Sequence, residues 1–558
     1  MAGGTGTSAK ESGEGLIGRG YRSERPDLPG FCRPGLPGSA AIAYGLRVTT
    51  NRVAVAAPNP LAAAAGAGLA ESGGNAIDAA LAACMVAMVT EVGVVSPASG
   101  GYVTVQPADG AVPVTIDGGV EMPGRGLPAD RFGRGTFDVT TGYGGGITMT
   151  VGHGSVATPG TMAAVDAAHR RYGRAPWSEL MAPAVEVAKH GFPLGQASRH
   201  YLEFVHDSVY GTEPASRGVL HDQAGELLAQ GATVVIPDLS ESLAAIAADG
   251  VETFYSGDLA RAISAEVTDH AGLLTTADLA AYQPVLRPAL RVQLGDWLLG
   301  TNPPPAVGGV TLAAMLTLLG GRPRGAWTTD DLALLVEVEE AVLSYRAREL
   351  DLAPDRVAAA EAFLSLVHEG DLAALGSPST VNVSAVSDDG AGCTITVSSG
   401  YGSGIIADGT GIWLNNCLGE QELNRGGLHV LPPGQRLISN MAPTVAHRDD
   451  GSVIAAGSPG ADRISTALLM ALAAFANGGL SLEEAIAHPR LHVRLTGRGP
   501  TVDHEDGLRL TGATTLPTQA FAGQSMYFGG VSAALWTPTD GLSAASDPRR
   551  DGAVAISA

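Results

Sequence analysis

Gly376-Ser-Pro-Ser-Thr-Val-Asn-Val-Ser-Ala-Val386 is where the texture of the chain changes from helix to strand. Thr380 to Val386 alternates with period two, Asp388-Asp-Gly390 is a turn signal, and Cys393-Thr-Ile-Thr-Val-Ser398 alternates again, so the segment predicts a β-hairpin. A second hairpin is expected downstream, with Thr444-Val-Ala446 and Ser452-Val-Ile-Ala-Ala456 flanking Asp449-Asp-Gly451, and a helix over Pro459–Asn477 after it. Upstream, a strand-like stretch from Arg47 runs through TTNRVAVAA into a helix over Pro60–Leu69. Ser72-Gly-Gly-Asn-Ala-Ile-Asp78 then opens an Ala-rich helix reaching about Val89, which suits an interior position because Ala allows close packing on both sides. Residues 101–120 read as strands broken at Ala108-Asp-Gly110, and residues 158–357 read as mainly helical, with starts at Pro159 and Asp278. Pro303-Pro-Pro305 marks a rigid loop before a helix over Gly309–Leu319. Paired sheets inside and helices outside predict a layered α/β core assembled from both halves of the chain.

Composition narrows the functional classes. The chain has 558 residues, 45% hydrophobic and only 16% charged, which describes a packed globule and excludes disorder as its dominant state. Residues 1–40 are the exception: rich in Gly, Ser and Pro and charged, they read as a loose arm. A net charge of −22 excludes a nucleic-acid backbone or an anionic membrane surface as partner, since both require a positive footprint. The four cysteines, Cys32, Cys84, Cys393 and Cys417, share no CxxC spacing, so neither a zinc site nor a disulfide framework is expected. The N-terminal stretch lacks a basic region followed by an apolar one, and no run of about 18 apolar residues occurs, so a soluble cytoplasmic location is expected.

Common catalytic signatures are absent: there is no GxGxxG in a βαβ unit, no Walker loop, no HExxH and no GxSxG elbow. Gly144–Gly146 reads as a loop, and His153, His488 and His492 read as structural hydrogen-bonders. The chemistry points instead to the opening of the hairpin. A Thr at the head of a strand, released as a new N-terminus by self-cleavage, carries its own base. Its α-amine titrates near 7.7–8.0 and can take the proton from the hydroxyl of the same residue. Oxyanion donors must then come from backbone amides, and Gly457-Ser-Pro-Gly-Ala461, between a strand and a helix, offers such a loop.

A series of collinear motifs extends this reading: Glu71-Ser-Gly-Gly-Asn-Ala-Ile-Asp78, Ser155-Val-Ala-Thr-Pro-Gly160, Phe254-Tyr-Ser-Gly257, Gly272-Leu-Leu-Thr275, Leu279-Ala-Ala-Tyr282 and Pro303-Pro-Pro-Ala-Val-Gly-Gly309. Beyond the hairpin come Gly402-Ser-Gly404, Gly411-Ile-Trp-Leu-Asn-Asn416, Ser439-Asn-Met-Ala-Pro443, Gly457-Ser-Pro-Gly460, His488-Pro-Arg490 and Ala545-Ser-Asp-Pro-Arg549. In these motifs, from about residue 40 to the C-terminus, the chain resembles the γ-glutamyltranspeptidase family, in a divergent form of actinobacterial type. The resemblance implies the N-terminal-nucleophile hydrolase fold, a four-layer αββα sandwich. It also implies cleavage between Ser379 and Thr380 into a large subunit, 41–379, and a small catalytic subunit, 380–558, intertwined in one heterodimer. Thr380 matches the nucleophile, Thr396 or Ser398 the hydroxyl held against it, and Gly460 with Ala461 the oxyanion-hole amides. The substrate-binding positions fall at Gly119, Asn416, Cys417, Glu420, Ser439 and Asn440.

Several of those positions depart from the family pattern. Asp117-Gly-Gly-Val-Glu-Met122 has glycine, Gly119, where an Arg holds the glutamyl α-carboxylate. Asn415-Asn-Cys-Leu-Gly-Glu420 replaces the usual lid and puts Glu420 where an Asp contacts the α-amine, and Val381-Asn382 replaces the usual Thr-His after the cleavage point. Loss of the Arg would leave an anion without its bidentate partner. The machinery thus reads as kept and the glutamyl pocket as changed. The leading expectation is removal of an acyl or oxalyl group by C–C bond hydrolysis in assembly of a 4-alkylproline antibiotic building block. The alternatives are a γ-glutamyl hydrolase or transpeptidase, with Arg125 or Arg131 supplying a relocated carboxylate clamp, and an uncleaved, non-catalytic binding homolog. No cofactor and no metal are expected; the partners are a small-molecule substrate and the chain's own second subunit.

Overall fold

The computed structural model describes residues 51–143, 146–369 and 381–558. The arm over 1–40, most of the Gly144–Gly146 loop and the Ser379–Thr380 cleavage point lie outside the described residues. Thirteen strands build two large sheets and are numbered here in chain order. Sheet one contains β1 (Val53–Ala57), β2 (Gly100–Gln106), β3 (Val114–Gly118), β4 (Val285–Pro288), β7 (Val381–Ser387), β8 (Gly392–Ser398) and β13 (Ala553–Ile556). Sheet two contains β5 (Leu290–Leu294), β6 (Trp297–Thr301), β9 (Thr444–His447), β10 (Val453–Gly457), β11 (Ser532–Thr537) and β12 (Gly541–Ser546). Their orders are β13-β1-β7-β8-β2-β3-β4 and β12-β11-β10-β9-β6-β5.

The hairpin β7–β8 sits at the centre of the first sheet, in a register that pairs Val381 with Val397 and Asn382 with Thr396. Its two faces have different chemistry, as the period of a strand requires. Val381, Val383, Ala385, Cys393, Ile395 and Val397 pack into the apolar cluster that includes the helix α2 (Ala76–Thr90). The even-numbered residues face the second sheet, where Val386 joins Val445, Val453 and Ala455. Between them lies a buried polar network. The Asn382 amide nitrogen donates to Thr396 Oγ1 (2.8 Å) and the Ile395 carbonyl (2.9 Å), while its oxygen accepts from the Ser384 and Ser532 hydroxyls (3.0 Å each). Because each of these groups is withdrawn from water, only such mutual pairing keeps the inter-sheet layer stable.

Every residue of α2 is buried, in keeping with its Ala-rich sequence. Asn75 caps its start reciprocally with Asp78. The helix α1 (Pro60–Glu71) precedes it and packs on it, while α3 (Gly308–Leu319) and α4 (Arg463–Ala476) share the cluster on the outer side of sheet two. Two helix starts differ from the expected ones. Thr275, not Asp278, caps the helix over Thr276–Ala281, because Asp278 is the third residue of a capping box. The helix after β10 begins at Arg463 rather than Pro459, since Gly460 (φ 122°) and Ala461 (φ 74°) are left-handed and cannot start an α-helix. The span read as helical also contains β4, β5 and β6; Leu290, Val292 and Leu294 alternate with Arg291 and Gln293, a strand pattern set among helices.

Candidate active site

One cleft opens where β8 and β3 end. Gly119, Ser398, Cys417, Glu420, Ser439 and Asn440 line it together. They come from four separate places in the chain, brought together because β8, β2 and β3 are neighbours in sheet one. Asn416 lies behind this wall: its side-chain oxygen accepts from the Tyr401 N–H (2.6 Å), and its carbonyl from Gly419 N–H (2.7 Å). Thr396 stands one strand repeat deeper and is held by Asn382, whereas Ser398 is at the open end of β8, diagonal to Val381, and accepts from the Gly400 N–H (3.0 Å).

The cleft is acidic. Glu420 is buried, and burial together with the nearby Glu422 carboxylate drives its carboxyl well above the usual range. Cys417 beside it is pushed up by burial and by Glu420, so its thiol is kept protonated and is no second nucleophile. Gly119 fills the place expected for an Arg for a steric reason: a Cβ there would sit 2.3 Å from the Tyr102 hydroxyl. The acids on either side of it, Asp117 and Glu121, are instead neutralised by a residue from a distant part of the chain. Arg436 bonds Asp117 through Nε (3.2 Å) and pairs with Glu121, and its guanidinium lies 4.5 Å from the Tyr282 ring centroid. Nothing in the local sequence around Arg436 signals this role; only tertiary contact does. Neither expected substitute clamp enters the cleft. Arg125 pairs with Glu121 (3.5 Å), and Arg131 donates to the carbonyls of Thr268 (3.0 Å) and Gly272 (3.2 Å).

The loop Ser458–Asp462 follows β10. A Cβ at Gly460 would meet Gly529 Cα at 2.6 Å, so this position requires glycine. Ala461 is buried and holds φ 74° despite its Cβ, a strained conformation costing about 1–2 kcal/mol. Among the described residues, no acceptor faces the N–H of either Gly460 or Ala461. Buried amides are seldom left so, and two adjacent ones form the kind of donor pair that binds an oxyanion. The loop is anchored by Asp462, which pairs with His492 Nε2 (3.2 Å) and Arg463 (3.0 Å). Burial opposes ionisation of Asp462, but His492 and Arg463 outweigh it and hold the carboxyl far below its usual range.

His153, His488 and His492 all make hydrogen bonds, to Glu266, the Pro489 carbonyl and Asp462 respectively. Two His-containing groups, His153–Glu266–His270 and His206–Asp207–His221, bring metal-binding side chains close together, and neither lines the cleft. Among the described residues, no helix is long and apolar enough to cross a membrane.

Comparison with known proteins places this geometry in a family. The model of the γ-glutamyltranspeptidase family matches residues 62–557. A glutathione hydrolase proenzyme of Pseudomonas aeruginosa is 28% identical over 554 residues, covering 92% of this chain and 96% of the relative. An acylase ACY 1 proenzyme of a Pseudomonas species is 29% identical over 543 residues, covering 91% and 94%. A cephalosporin acylase from Bacillus halodurans shares the fold, with a TM-score of 0.76 at 22% identity over 96% of this chain and 99% of that one. These matches overturn the expected C–C bond hydrolysis in antibiotic assembly: the near-full-length relatives are named as a glutathione hydrolase and an acylase, which favours the γ-glutamyl alternative. They also mark no actinobacterial subgroup. The chain belongs to the γ-glutamyltranspeptidase family and is an α/β enzyme of the N-terminal-nucleophile hydrolase type.

Proposed function

We propose that the protein cuts itself between Ser379 and Thr380, and that Thr380 then attacks amide bonds of γ-glutamyl-type substrates. In this reading residues 41–379 and 380–558 remain together as a heterodimer, with the two sheets and their outer helices forming four αββα layers. Thr380 Oγ adds to the amide carbonyl as its proton passes to the α-amine of the same residue. The N–H groups of Gly460 and Ala461 receive the oxyanion. Collapse breaks the C–N bond, the leaving amine takes the proton, and water or an acceptor amine clears the acyl-threonine ester. Ser398 supports the nucleophile better than Thr396 does, because Thr396 is committed to Asn382.

The observation that carries the reading is the convergence of Gly119, Ser398, Cys417, Glu420, Ser439 and Asn440 on one cleft beside the start of β7. Glu420, buried there with no Lys or Arg in the lining, suits an amino group on the acyl portion of the substrate. The names of the near-full-length relatives, glutathione hydrolase and acylase, support an amide as the bond broken. The test is intact mass of wild type beside Thr380→Ala, with turnover of γ-glutamyl-p-nitroanilide. Two wild-type fragments meeting at Ser379/Thr380, one intact variant chain, and nitroaniline release by wild type alone are expected. An uncut wild type, or a variant cut at the same bond, overturns the mechanism.

A further inference from the structure

We propose that Arg550 binds a carboxylate on the leaving amine of the substrate, so that the enzyme prefers amides of amino acids or peptides over amides of uncharged amines. The proposal rests on the amide-cleaving reading above and adds the chemical class of the departing group.

Arg550 lines a second cleft together with Val381, Asn382, Pro459 and two acids, Glu91 and Asp547. This cleft also begins at the start of β7, but on the side of β1 and β13, opposite to the Glu420 cleft on the side of β8, β2 and β3. An amide held at the head of β7, with its acyl portion toward Glu420, therefore directs its amine portion toward Arg550. The guanidinium also lines an adjoining hollow walled by Tyr143, Tyr201 and Tyr401.

Arg550 is half-buried, and its bonding differs from that of three buried arginines. Arg436, Arg490 and Arg549 each pair with at least one carboxylate. Arg550 donates only to backbone carbonyls, Nε to Gly529 (3.3 Å) and Nη2 to Met526 (3.5 Å), and among the described residues no carboxylate lies within ion-pairing distance. The nearest acids are already engaged. Asp547 bonds Arg490, Arg549 and the Val531 N–H, and Glu91 accepts from Asn59 (2.7 Å). A half-buried guanidinium with acids near it but none bonded to it keeps its planar fork available, and that fork is the group best matched to a carboxylate.

The experiment compares calorimetric binding of 5-amino-2-nitrobenzoate and its uncharged isostere 5-amino-2-nitrobenzamide to the processed enzyme and to Arg550→Gln and Arg550→Lys. Wild type is expected to bind the acid at least about tenfold more tightly than the amide, Arg550→Gln to lose that preference, and Arg550→Lys to keep part of it. Equal binding of both compounds by wild type, no measurable binding of the acid, or a preference that survives in Arg550→Gln overturns the proposal. Turnover separates this from the broader reading. Wild type is expected to favour γ-glutamyl-3-carboxy-4-nitroanilide over γ-glutamyl-p-nitroanilide in kcat/KM, a ratio that Arg550→Gln abolishes. Failure to cleave either anilide counts against the amide reading, whereas the binding comparison decides the role of Arg550 without turnover.

Discussion

Glu420→Gln should move activity and stability in opposite directions. The carboxyl is buried in the cleft, and burial first, then the Glu422 charge, keep its affinity for a proton high. A substrate amine arriving as an ammonium would take up the role of the missing cation, converting Glu420 into the acceptor of a charge-assisted hydrogen bond. Such bonds contribute about 1.5–3 kcal/mol, which corresponds to roughly 10- to 150-fold in kcat/KM. Glutamine preserves the shape and removes the charge. The assay is a comparison of γ-glutamyl-p-nitroanilide with glutaryl-p-nitroanilide, which lacks only the amine. Glu420→Gln should lose about 10- to 150-fold on the first and little on the second. Stability should respond the other way. A carboxyl whose folded pKa is raised contributes stability that is fully present below its unfolded pKa and is lost as pH rises. The variant should therefore gain stability relative to wild type between pH 5 and pH 8, as measured by urea unfolding, about the order of magnitude expected for removing a buried, unpaired charge. An equal loss on both anilides, or a stability difference that does not grow with pH, would refute the assignment of Glu420 as the amine's partner.

Arg436→Met should cost about 3–5 kcal/mol in urea unfolding, because Asp117 and Glu121 would lose their shared buried cation. Glu121 is raised by burial against the pull of Arg436 and Arg125, so that loss should be larger at pH 8 than at pH 5. Glu91, pushed up to about 7 chiefly by burial, contributes stability that is present below about pH 4.5 and lost as pH rises through 7. Glu91→Gln should accordingly be more stable than wild type at pH 8, with the advantage fading by pH 5; a constant difference across that window would show that Glu91 does not titrate there. Ala461→Gly should change stability by no more than about 1 kcal/mol, as relief of left-handed strain offsets the lost methyl and the added backbone freedom. Ala461→Val should cost more than about 2 kcal/mol and most of the activity, because a β-branched side chain is incompatible with φ 74°; a fully active Val variant would remove Ala461 from the oxyanion loop.

Much was legible in the residues alone. The alternation of Val381 to Ser387 and of Gly392 to Ser398 determined a hairpin, since period-two patterning with a Gly turn suits a pleated strand pair. The Ala-rich run of α2 determined an interior helix, because only small side chains allow such close packing on all sides. The string of glycine- and proline-bearing motifs determined the family. Local reading failed where the deciding partner was remote. Leu290 to Leu294 alternates as a strand should, yet it stands among helices, and only pairing with β6 and contact with α3 fix it in the second sheet. Proline and glycine at 459 and 460 resembled a helix start, whereas the left-handed angles of Gly460 and Ala461 make the segment a loop whose two amides meet no acceptor among the described residues.

The charges of the site were decided by tertiary structure alone. Asp117 and Glu121 had lost their expected Arg neighbour, and neither Arg125 nor Arg131 replaced it in the cleft; Arg436 reached them from more than 300 residues away in sequence. Arg550 carried no motif, and its significance lies in what does not pair with it at the mouth of two clefts. Backbone pattern is written locally, because each residue's torsions and its nearest neighbours set it. Electrostatic complementarity is not, because a charge acts across space on whatever the fold brings near it, and only the folded chain determines which charges those are.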